Sequence, residues 1–132
     1  MRAAKIYLVL MGLMSVVFGV GYLVKPDLFT GPMEFGTLAP SALTDVRATY
    51  GGFQIGMGLF MFWCAAQDSR VYSGMLLTLL SVAGIASCRA IGMFALDGSS
   101  GNQTLLGTLG LEVTLTVITV VLLARTPKPV AA

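Results

Sequence analysis

Four side chains, Arg47, Gln54, Arg89 and Glu112, are charged or strongly polar within stretches that are otherwise apolar. In hydrocarbon, a charge at mid-helix costs about 2.5–3.5 kcal/mol on insertion scales, so such residues turn inward and pair. Arg89 with Glu112 is the natural pair, and beside that arginine Glu112 stays ionised. Arg47 is then left to Asp45, to Asp97 or to a ligand, and the Gln54 amide is placed to orient one. The expected role is that of a binding or transport-type protein whose outward-facing pocket takes an anionic or polar group: a lipid headgroup, a quinone-like molecule or a small organic acid. Asp45, Tyr50, Asp97 and Thr108 are secondary candidates. The same residues admit a second reading, in which Arg89 and Glu112 clamp two helices of an accessory or structural subunit and Gln54 bonds across.

Catalysis has little to work with. Histidine is absent and only two cysteines are present, so neither a zinc nor a haem site is expected and no cofactor is assigned. Cys64 is expected near the end of its helix and Cys88 near the opposite membrane face, out of disulfide reach. Cys88 beside Arg89 is the one thiol with an adjacent cation.

The elements that must position these groups are transmembrane helices. Of 132 residues, 56% are hydrophobic and 11% charged, with a mean hydropathy of +0.87, against about 25% charged in an ordinary soluble domain. A core of this size cannot hide so much apolar surface. The expected fold is all-α, a single polytopic membrane domain over 1–132 with four transmembrane helices in an up-down bundle. The helices are placed at about 6–24, 45–66, 71–96 and 104–124, with a long connection at 25–44 broken by Pro26, Pro32 and Pro40. Ser41 or Thr44 would cap the second helix, with Asp45 in its positive first turn. A net charge of +2 without a basic patch argues against nucleic acid; the lipid bilayer is the expected partner.

At about 100° per residue, Arg47, Gly51, Gln54 and Gly58 line one face of the second helix, while Gly52 and Gly56 form a G-x-x-x-G pair on the other. That pair favours close packing, and makes a homo-oligomer or a membrane partner subunit a natural expectation. Arg2, Lys5, Arg70, Arg125 and Lys128 fall on one side, and Asp27, Glu34, Asp45 and Asp97 with Lys25 on the other. The positive-inside rule then places both termini in the cytoplasm. Counting rise from that frame puts Gln54, Arg89 and Glu112 at one level, about 10–14 Å below the outer surface.

The stretch from Thr44 to Leu59, with Arg-Ala-Thr-Tyr-Gly-Gly at Arg47 to Gly52, resembles a domain-of-unknown-function family of small bacterial four-helix membrane proteins, itself distantly similar to DoxX-type proteins. The resemblance covers the whole length. It implies the four-helix fold, a location in the bacterial inner membrane, and weight on Arg47, Arg89 and Glu112, but no activity or substrate.

Overall fold

The computed structural model describes residues 1–128, which are helical with no strand among them. Six helices follow in order: α1 (Arg2–Val24), α2 (Asp27–Thr30), α3 (Pro40–Val46), α4 (Phe53–Ala65), α5 (Asp68–Ile91) and α6 (Gln103–Ala124). Two π-helical turns complete the path, Arg47–Gly52 between α3 and α4 and Gly92–Leu96 after α5. Three helical segments, Arg2–Val24, Asp68–Leu96 and Gln103–Ala124, are long and apolar enough to cross a membrane.

The second long helix differs from the expectation at its start. It begins at Pro40 rather than near 45, because proline suits the first helical position and Ala39 before it is extended (φ −63°, ψ 155°). No side chain caps this end, and Thr44 donates back to the Pro40 carbonyl at 3.0 Å. From Pro40 to Ala65 the chain never leaves right-handed helical space, so α3, the π turn and α4 form one rod.

α1 and α4 run antiparallel along reciprocal glycines. A methyl on Gly58 would lie 2.6 Å from the Gly12 carbonyl oxygen, and one on Gly12 would lie 3.0 Å from that of Gly58. Gly19 and Gly51 repeat the arrangement one heptad away, at 2.8 and 3.2 Å. Each glycine lets the opposite backbone approach closely, so this contact is made largely by main chain and dispersion.

The two ends of the molecule differ. At one end Ala4, Leu8, Met11, Met61, Cys64, Val71 and Met75 form a buried core joining α1, α4 and α5. Lys5 pairs with Asp68 at 2.7 Å, and the Arg70 guanidinium lies 3.8 Å over the half-exposed Trp63 ring. Tyr7 on α1 bonds Thr119 on α6 at 2.7 Å, and Thr119 itself donates to the Leu115 carbonyl. These links gather Arg2, Lys5, Arg70 and Arg125 at what is here called the basic end. The opposite, acidic end holds the 25–39 connection, the Asp97 turn and the start of α6, where Asn102 donates to Glu34 at 3.4 Å. Large apolar side chains such as Ile6, Val17, Phe53 and Leu80 are more than 60% exposed along the shafts, an inverted pattern that suits hydrocarbon as the solvent.

Candidate functional site

Arg89 and Glu112 are brought together by the antiparallel packing of α5 and α6. The Arg89 Nε donates to both carboxylate oxygens, at 3.1 and 2.9 Å, and Nη2 donates to Oε1 at 2.8 Å. The side chains are only 20% and 12% exposed. Two N–H groups meeting two oxygens is the geometry in which guanidinium and carboxylate hold each other most strongly. The pairing satisfies Glu112, but Nη1 makes no hydrogen bond among the described residues. Arg89 thus keeps one edge of donors to spend.

Tyr22 and Tyr50 lie within electrostatic reach of that guanidinium. Their rings stack with centroids 5.3 Å apart, and Phe29 stacks on the other side of Tyr22 at 4.6 Å. Phe29 arrives there because α2 folds back onto α1, where its ring covers Gly21 at a distance no side chain could share (2.6 Å from an added methyl). Phe18 closes the row at 5.6 Å. The acidic half therefore holds both a charged pair, Arg89 with Glu112, and an aromatic row that includes the two tyrosines.

Arg47 stands apart from the pair. Its Nε donates to the Leu23 carbonyl at the end of α1, 3.2 Å away, and it forms no ion pair with Asp45 or Asp97 among the described residues. Arg47 faces α1 together with Gly51 and Gly58, and it opens the π turn, in which the Phe53 N–H reaches back five residues to the Ala48 carbonyl. A π turn is wider than an α turn, so an even 100° count does not carry from Arg47 through to Gln54. Gln54 is half-buried on α4 and makes no side-chain hydrogen bond among the described residues. Asp45 and Asp97 are exposed, and the Thr108 hydroxyl is occupied by the Thr104 carbonyl at 2.8 Å. Of the four glycines, Gly51 and Gly58 meet α1, whereas Gly52 and Gly56 have nothing within 4 Å. Cys64 is buried, Cys88 exposed and both are free. No cluster of potential metal ligands occurs among the described residues.

The profile of a family described as a domain of unknown function, DUF4345, matches residues 3–123. The chain belongs to that family. The match spans both the aromatic row and the charged pair, from Phe18 to Glu112. No curated protein and no solved structure matches the chain significantly.

In this DUF4345 protein, sequence reasoning missed Tyr22 and Phe29 as site residues. Tyr22 ends a seam of small residues on α1, Gly12, Ser15 and Gly19, and all four are buried. Its position at the end of that seam, with a tyrosine following Arg47 by three, was the available signal. Phe29 had none, because its place depends on how the connection folds back.

Proposed function

We propose that this protein is a four-span membrane bundle of the bacterial inner membrane, with both termini inside. In its outer half it binds the polar or anionic head of a small amphipathic molecule. The observation that carries the reading is the unspent Nη1 edge of Arg89, held in place by Glu112 in the same half of the molecule as the Tyr22–Tyr50 stack. A guanidinium fixed by one carboxylate is preorganised to accept a second acceptor without reordering its side chain. The faces of the Tyr22, Tyr50 and Phe29 rings offer a flat apolar wall, which suits the ring or upper chain of the same molecule, and the Tyr50 hydroxyl, without a hydrogen-bonding partner among the described residues, adds a donor for its head. Arg47, near the rim, adds positive charge. The four-span topology is supported by the continuous helix from Pro40 to Ala65, and the orientation by the segregation of basic and acidic ends.

A second reading has its own support. Glu112 is fully satisfied, and Gly52 and Gly56 present an open face on α4. In that reading the ion pair is a clamp, and the G-x-x-x-G face docks another membrane helix, from a second copy or a partner subunit.

Native mass spectrometry of gently solubilised membranes separates the two. A binder carries a small-molecule adduct that Tyr50→Phe and Arg47→Ala diminish at unchanged oligomeric state. A subunit carries no adduct, and Gly56→Leu dissociates it from its partner.

A further inference from the structure

At the basic end, away from Arg89, a groove of about 350 Å³ opens between the first half of α5 and the last turns of α6. That volume lies within the range of small-molecule sites, about 300–1,000 Å³. Its walls are apolar: Leu79 on α5, Val120, Leu123 and Ala124 on α6. Its mouth is polar, formed by Tyr72 and Lys128. The end of α6 holds Lys128 there. The Thr126 hydroxyl donates to the Leu122 carbonyl at 2.8 Å and its N–H to that of Leu123 at 3.0 Å, which anchors the chain two residues before Lys128.

Neither the Lys128 ammonium nor the Tyr72 hydroxyl has a hydrogen-bonding or ionic partner among the described residues. Arg70 and Arg125 flank the same end, so the mouth sits in a region of positive charge. A second groove along the same helix pair, about 330 Å³ and lined by Ala83, Ala90, Leu109 and Val117, has no charged group at all. The first groove is thus distinguished by an amphipathic gradient, apolar along the shaft and cationic at the surface.

We infer that this groove is a binding site for an anionic phospholipid of the leaflet at the basic end, with one acyl chain against Leu79, Val120 and Leu123 and the phosphate at Lys128 and Tyr72. Basic pockets between transmembrane helices recognise anionic headgroups through this combination of charge and chain burial. The assignment does not depend on the Arg89 site, which lies in the other half of the molecule.

The test is lipid titration of the delipidated full chain, followed by native mass spectrometry. Three probes are used: phosphatidylglycerol, phosphatidylcholine of identical chains, and glycerol 3-phosphate without chains. The expected result is retention of phosphatidylglycerol over phosphatidylcholine, reduced about fivefold by Lys128→Gln in line with the attraction one surface cation exerts. Leu79→Trp, which fills the groove, removes both lipids, and glycerol 3-phosphate leaves no adduct. Equal retention of the two lipids by the wild type overturns the proposal. So does phosphatidylglycerol binding that survives both substitutions, glycerol 3-phosphate binding as well as the lipid, or a dimer that Leu79→Trp dissociates in place of lipid loss.

Discussion

The Arg89–Glu112 pair is the point where charge, burial and geometry coincide, so substitutions there carry the clearest consequences. Glu112→Gln leaves a guanidinium mostly buried with its counter-charge gone, and stranding one member of a buried pair costs about 3–5 kcal/mol. A loss near the lower end is expected from denaturant unfolding in detergent, because the arginine keeps 20% exposure. Arg89→Lys keeps the charge but not the fork, and lies between wild type and Glu112→Gln. Equal stability of all three proteins would show that the pair contributes nothing to the fold. This pair was legible in the sequence by counting depth along helices: two opposite charges at one level in hydrocarbon have few alternatives. The partner of Arg47 was not, because the Leu23 carbonyl it meets lies on α1, which a count along one helix does not reach.

Between elements, the glycines decide how α1 meets α4. Gly58→Ala places a methyl 2.6 Å from the Gly12 carbonyl and 2.7 Å from a Val16 methyl. Neither backbone can yield cheaply, and overpacking of this kind costs about 1–3 kcal/mol. Gly56→Ala meets nothing within 4 Å and is expected to be neutral or slightly stabilising, since glycine weakens a helix interior relative to alanine. Thermal unfolding of the two variants side by side checks both; a destabilised Gly56→Ala would reveal a neighbour on the open face. The sequence pattern drew attention to Gly52 and Gly56 through their four-residue spacing. The tight contact uses Gly51 and Gly58, seven apart, matched by Gly12 and Gly19, seven apart on α1. That match becomes visible only when two helices are compared in antiparallel register, which a pattern search on one helix does not do. The Tyr7–Thr119 bond is hidden for the same reason, its members lying 112 residues apart.

For the whole molecule, the helical class and the apolar exterior followed from composition and the basic and acidic ends from the loop charges, while the pairs that tie each end together, Lys5–Asp68 and Asn102–Glu34, did not. If the acidic end faces outward, a membrane-impermeant thiol reagent on intact cells labels Ser100→Cys and spares Ser69→Cys, both in a Cys88→Ser background. The reverse pattern inverts the topology and places the Arg89 group in the inner leaflet. The central claim is that Arg89, pinned by Glu112 in the same half of the molecule as Tyr22 and Tyr50, holds the head of a small amphipathic molecule. Its most direct test is native mass spectrometry of the protein released from its own membranes, wild type against Tyr50→Phe. That substitution keeps the aromatic stack and removes one hydroxyl. A defined adduct is expected on the wild type and falls several-fold in Tyr50→Phe at the same oligomeric mass. A bare wild-type protein, or an adduct indifferent to Tyr50, would contradict the claim.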